Sequence, residues 1–313
     1  MGFRFRPRFR IFPGVRVGVG PGGPSVVLGP RGLGYRVDSR GRHIETALPG
    51  LPIIFTAHTF EGSSGASSGL AGACACLRKG DEEEALRRLL KLPDDPGAAF
   101  LVGLIALRQQ DFSRAIAYLR FAEENLEAMT VSFQELGSKP SMELLITPEL
   151  TAPVGPDLRG ILLALTESYQ HVGRDAEAEA CLRRLRQFDP RDIVVGISLA
   201  EFLLGSEELS GPREVVAMTE GLRAATHWHA ALLLYRGRAS TRLEKIDEAL
   251  QAYGEGLTFS GEDEEPAVTL ALRYERGRLN QERQEYDRAR DDYEAIEAVF
   301  PGYLDVPQRL GLA

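Results

Sequence analysis

The sequence predicts a mainly α-helical solenoid preceded by a small all-β module, and three observations carry that prediction. A short block built around one alanine recurs along most of the chain. The first eleven residues alternate apolar and cationic side chains, and residues 61–69, Glu-Gly-Ser-Ser-Gly-Ala-Ser-Ser-Gly, have the composition of a flexible connector between the two parts. With 313 residues, 43% hydrophobic and 26% charged, the chain is globular in composition and long enough for about two domains. It lacks the run of about 18 apolar residues that a membrane-spanning helix requires.

At the N-terminus, Phe3, Phe5, Phe9 and Ile11 alternate with Arg4, Arg6, Arg8 and Arg10. That is the period-two pattern of a strand with one apolar and one cationic face. Pro7 lacks a ladder donor and places this strand at an edge or a bulge. Further strands are predicted at Val15–Val19, Ser25–Leu28, Gly34–Val37 and His43–Leu48, separated by the turn formers Pro13-Gly14, Pro21-Gly22-Gly23-Pro24, Gly29-Pro30-Arg31-Gly32 and Ser39-Arg40-Gly41. Residues 1–56 therefore read as a β-meander module. The stretch Gly18–Gly23 fits a dinucleotide-binding G-x-G-x-x-G only formally, since Pro24 and a β-branched run follow where a helix should open. Met1-Gly2 likewise fails as a myristoylation signal because Arg6 stands where Ser or Thr is needed. Arginine at every second position replaces the apolar stretch of a secretory leader, and a cytoplasmic location is expected.

Charge divides unevenly. Nine arginines against Asp38 and Glu45 give residues 1–50 a balance of +7, which leaves −15 for the remainder of a chain whose total is −8. A basic head on an acidic body suggests binding of an anionic polymer, binding of a membrane surface, or head-to-body contact. Met1-Gly2-Phe3-Arg4-Phe5-Arg6, Phe12-Pro13-Gly14-Val15-Arg16-Val17, Gly29-Pro30-Arg31-Gly32 and Leu48-Pro49-Gly50 resemble the bacterial N-terminal module known as domain of unknown function 4236. The resemblance implies a bacterial origin and no known activity. About fifty residues of short strands bury too little surface to be robust alone, so the module is expected to work in assembly or docking by strand addition. The arginine row of Arg4, Arg6, Arg8, Arg10 and Arg16 serves in that reading as the assembly face or as an anion-binding face; it could equally block edge-to-edge pairing.

Residues 57–69 are read as the linker and 70–313 as the helical domain. Blocks at Asp81–Leu86, Asp111–Ile116, Asp175–Ala180, Ile246–Leu250 and Tyr286–Arg290 each follow a polar or glycine turn and precede an amphipathic helix. Their alanines 85, 115, 178, 249 and 289 are spaced by 30, 63, 71 and 40 residues, consistent with units of about 34 residues. These units resemble tetratricopeptide repeats over residues 70–301. Leu165, Tyr169, Gly173, Ala178, Leu182 and Pro190 fall at that family's offsets, as do Gly103, Phe112, Ala115, Leu119 and Ala122, and Gly277, Tyr286, Ala289, Tyr293 and Pro301. Gly237, Ala249 and Tyr253 mark a further unit, Ala85 a truncated one, and residues 191–225 a degenerate pair broken by Gly205 and Ser210-Gly211-Pro212. The resemblance implies a concave groove that binds a protein or peptide, lined by Phe100, Leu104, Arg108, Glu167, Gln170, His171, Arg238, Arg242, Tyr274 and Arg278. Arg238, Arg242 and Arg278 form a cationic stretch that either receives a carboxylate or pairs with neighbouring acids. Residues 129–156, with Gly137, Pro140, Pro148, Pro153, Gly155 and Pro156 around the apolar run Met142–Ile146, interrupt the repeat and are read as an insertion that caps or fills the groove.

No constellation for catalysis is apparent. Cys74 and Cys76, two apart on a helix, point in opposed directions, and with Cys181 they read as buried small hydrophobes. His227 and His229 flank Trp228 without metal-ligand spacing, and Glu262–Glu265 read as the solvated first turn of a helix. The expected function is a non-enzymatic bacterial scaffold without metal or cofactor, whose partners are a protein or peptide and, through the head, a second copy. The alternative is attachment to nucleic acid or an anionic surface through the head's arginines.

Overall fold

The computed structural model describes residues 15–20, 23–28, 34–38, 41–45, 53–57, 68–147, 149–259 and 266–312. Six antiparallel helix pairs follow one another: α1 (Ser68–Arg78) with α2 (Glu82–Leu89), α3 (Pro96–Arg108) with α4 (Phe112–Glu124), α6 (Leu158–His171) with α7 (Asp175–Phe188), α8 (Ile193–Leu204) with α9 (Ser210–Met218), α10 (His227–Arg242) with α11 (Ile246–Gly256), and α12 (Pro266–Glu282) with α13 (Tyr286–Val299). Helix α5 (Leu126–Glu135) stands between the second and third pairs, and α14 (Val306–Leu310) follows the last. Each pair packs on the next, so an apolar stripe that two helices cannot bury alone becomes part of one continuous core. No helix among the described residues is long and apolar enough to cross a membrane.

Two local rules build the pairs. Five of the six turns close alike: Gly80, Gln110, Gly173, Glu244 and Gln284 adopt positive φ, and the next residue's N–H reaches back to a carbonyl five positions earlier, as Asp111 does to Ala106 at 2.9 Å. This Schellman closure satisfies the carbonyls that a helix end leaves open. The exception is the degenerate pair, where Gly205 keeps right-handed helical φ. At the helix starts, the carboxylates of Asp81, Asp95, Asp111, Asp157 and Asp192 and the hydroxyl of Thr226 accept first-turn N–H groups. Within a pair, a small residue on the first helix faces a large one sixteen positions later on the second. A Cβ on Gly103 would stand 2.7 Å from Leu119 Cγ, one on Gly277 2.9 Å from Tyr293 Cε1, and one on Gly237 would enter the ring of Tyr253. Glycine is required there for the close approach of the two helices.

The last pair is closed by α14. Tyr274 donates its hydroxyl to Asp305 Oδ1 at 2.9 Å, Arg309 bonds the same carboxylate, and Tyr303 packs edge-on against Tyr274 and Phe300. The short helix thereby covers the end of a stack that would otherwise expose an apolar face.

Strands β1 (Val15–Gly20), β2 (Gly23–Leu28), β3 (Gly34–Asp38) and β4 (Gly41–Glu45) pair antiparallel in that order. The predicted strand over Phe3–Ile11 lies outside the described residues, as do most of the predicted linker and the acidic run Glu262–Glu265. Strand β5 (Ile54–Ala57) leaves this sheet: it pairs with β6 (Ser138–Thr147), which in turn pairs with β7 (Leu150–Val154). Ile53 is buried in the helical core. Residues 53–57, read from sequence as the end of the first module and the start of a linker, are thus built into the body. The interruption of the repeat begins at Leu126 and comprises α5 and the β6–β7 hairpin.

Candidate partner-binding face

In an open solenoid the first helix of each pair shows one side to the groove and alternates buried with exposed positions. Here α3 buries twelve consecutive residues, Pro96–Leu107. A helix buried all round must be covered on both sides, and the cover on its inner side is α5. Phe133 of α5 meets Phe100 edge-on, with ring centroids 6.0 Å apart and planes at 78°, and Met129 is fully buried beside it. Next along the stack, β7 lies on α6, its Leu150, Ala152 and Val154 buried and its Thr151 and Pro153 exposed, while β6 lies on α8. Residues 126–154 therefore run along the inner side of the stack from α3 to α10.

The far end of that insertion is held by charge. Thr147 and Leu150 pair across a two-residue turn, and the Thr147 hydroxyl accepts the Glu149 N–H at 3.3 Å. Glu149 Oε1 then receives Arg238 Nη2 at 3.0 Å and Oε2 the Tyr235 hydroxyl at 3.1 Å, both from α10. Arg238 also donates through Nε to Glu275 Oε1 of α12 at 3.3 Å, and Glu275 Oε2 accepts from Arg278 at 3.3 Å. The guanidinium of Arg238 lies over the Tyr235 ring at 5.2 Å. Burial alone would lower the Arg238 pKa; the Glu149 carboxylate, with Tyr235 and Glu275, more than reverses this, so the guanidinium stays charged. Burial, with Glu149 adding to it, pushes the Tyr235 phenol well above its usual range and keeps it a neutral donor.

The residues expected to line the groove do not share one free surface. Phe100 and Leu104 are fully buried, Phe100 against α5, which corrects their reading as contact residues. Arg108 pairs with Glu82 of α2. Arg242 Nη1 caps α8 by donating to the Leu204 carbonyl at 2.8 Å, and Tyr274 is taken by Asp305. His171 stacks on Phe112 at 4.1 Å with its Nδ1 3.4 Å from Glu167. Glu167 and Gln170, with Thr166, Ser198 and Glu201, line a cavity of about 20 Å³ roofed by Leu144–Ile146 of β6, room for a single water. Of the three cations, Arg238 and Arg278 are brought together, and the pairing with neighbouring acids is the arrangement found. Arg4, Arg6, Arg8 and Arg10 lie outside the described residues, as does the side chain of Arg16.

Sequence reasoning missed Glu149, Tyr235 and Glu275. A signal existed for Glu149: Pro148-Glu149 separates the apolar run Met142–Ile146 from Leu150–Val154, a two-residue turn between strand-like runs. Burial pushes the Cys74 thiol up to about 12 and that of Cys181 up to about 11, which keeps both protonated. His229 Nδ1 lies 2.7 Å from the capping hydroxyl of Thr226, a helix-terminal role. No group of three or more potential metal ligands occurs among the described residues.

Residues 3–56 match the family described as protein of unknown function (DUF4236). No curated protein matches the chain. Tetratricopeptide repeat proteins are among the solved structures similar to it. One is TTC0263, a thermophilic TPR protein from Thermus thermophilus, with a TM-score of 0.40 and 17% identity over 67% of this chain and 97% of that one. Another is a tetratricopeptide repeat protein from Parabacteroides merdae, with a TM-score of 0.37 and 16% identity over 78% of this chain and 96% of that one.

Proposed function

We propose that the chain is a non-catalytic interaction scaffold of the cell interior, in which the helical stack is a rigid body and residues 1–52 dock it to a second copy or to another protein. The observation that carries this reading is the covered inner face. With α5 and the β6–β7 hairpin laid along the first helices, the inner face is occupied by the chain itself in this state, and docking falls to the head. Two features of the head support docking by strand addition. The sheet order leaves β4 as an edge, while the other edge strand, β1, lies beside α12, and the +7 balance of residues 1–50 complements the −15 of the remainder.

The test is light-scattering mass of the full chain beside residues 53–313, at low and moderate salt. The cut spares Ile53 and β5, which belong to the body. A defined oligomer formed by the full chain and not by residues 53–313 supports assembly through the head. Equal monomeric masses would remove self-assembly from the reading. The arginine row favours a second reading, attachment to nucleic acid or another anionic surface through Arg4, Arg6, Arg8, Arg10 and Arg16; it predicts binding that weakens steeply with salt.

A further inference from the structure

We infer that the outer part of the hairpin, residues 142–154, is a reversible occupant of the inner face: it swings off as a unit, and Glu149 is its latch. The inference rests on the scaffold reading, to which it adds control of access to the face of α6, α8 and α10. The arm has fixed roots. Residues 138–141 are held by β5 through the pairs Ile54↔Ser141 to Ala57↔Ser138, and the backbone of Gly155 is pressed so closely on Gly160 that a Cβ there would overlap it. Beyond the roots, the backbone pairs from Met142↔Val154 to Thr147↔Leu150 join the arm's own two strands.

Contacts of three kinds hold the arm, beside the bond from Arg159 Nη1 of α6 to the Pro153 carbonyl at 3.3 Å that opening must also break. At the tip, release sends Glu149 into water while Arg238 keeps Glu275, which keeps Arg278; no buried charge is stranded, which is what makes breaking an isolated buried pair so costly. Beneath the middle, the floor carries polar groups, of which the Thr166 hydroxyl donates to the Leu162 carbonyl at 2.8 Å and that of Ser198 to the Val194 carbonyl at 3.0 Å within their own helices, and a small cavity separates β6 from part of it. Against these stand Leu144, Leu150 and Ala152, whose burial makes the closed state dominant. The open state is a minor population, and a ligand shifts it only by binding the uncovered face of Tyr235 and Arg238 better than the covered one.

Native-state hydrogen exchange on the full chain, with and without Glu149→Gln, tests this. A lifted two-stranded arm is marginal in water and loses its protection. In the wild type, amides of residues 142–146, 150–152 and 154 should therefore exchange through an opening insensitive to low denaturant, while Leu233 and Leu234 of α10 follow global unfolding. Glu149→Gln should speed the arm about tenfold and leave Leu233 and Leu234 unchanged. One shared exchange free energy and denaturant dependence for arm and α10 in the wild type would overturn the inference, as would an equal acceleration of both by the variant. Should Glu149→Gln fail to fold by far-UV circular dichroism, the wild-type denaturant series decides alone. Oligomeric mass does not enter this readout, so a locked arm can be found in a chain that still assembles.

Discussion

One insertion covers the inner side of the stack in two ways. Over α3 it is an apolar lid: Phe133 of α5 seats on Phe100, Met129 of the same helix is fully buried, and every residue from Pro96 to Leu107 is buried. Over α6 and α8 it is a hairpin resting on a polar floor, pinned at its tip by Glu149 to Arg238 and Tyr235 of α10. Apolar burial scales with area and carries no directional requirement, so the lid contributes to the stability of the whole body. A charge-assisted pair adds less net free energy, because its desolvation offsets much of its attraction, but it fixes where the tip sits. The contrast separates a part of the insertion that belongs to the core from a part that is positioned on it.

The largest effect is expected at the lid. Phe133→Ala removes a ring that is 1% exposed and should lower unfolding free energy by about 3–4 kcal/mol in a denaturant melt. The loss should be global, with far-UV and tryptophan transitions shifting together. A change below about 1 kcal/mol would break the comparison, since α5 would then be no more firmly seated than the hairpin.

An intermediate effect is expected at the latch. In a double-mutant cycle of Glu149→Gln and Arg238→Gln, the coupling should be about 1–2 kcal/mol, below the cost of the lid ring. A coupling near zero would mean that the hairpin is held by Leu144 and Leu150 alone. The cycle also isolates what the sequence concealed. The helix pairs were legible because their determinants are local and recurrent: Gly103 with Leu119, Gly237 with Tyr253 and Gly277 with Tyr293 share one spacing, and the turns at Gly80 and Gly173 announce themselves. The insertion was legible as a break in that pattern. Its destination was not, because the pairing of Ile54 with Ser141 and the bond from Arg238 to Glu149 join residues 87 and 89 positions apart, and nothing in local periodicity encodes such a contact. Phe100 was misread for the same reason: a position that faces an open groove in an uninterrupted array faces α5 here, and Leu104 on the same helix is fully buried.

The smallest effect is expected on the floor, and it sharpens the comparison most. Thr166 is buried yet spends its hydroxyl on the carbonyl one turn earlier in its own helix, a bond that slightly weakens a helix. Thr166→Val keeps the shape and offers a methyl to the roof residues Leu144–Ile146. The variant should be more stable by about 0.5 kcal/mol, and exchange of the hairpin amides should slow while those of α10 hold. If polarity of the floor is what separates the hairpin from the lid, making one floor position apolar moves the hairpin toward the lid's behaviour. A destabilised variant, or one with unchanged hairpin exchange, would place the difference in the latch alone.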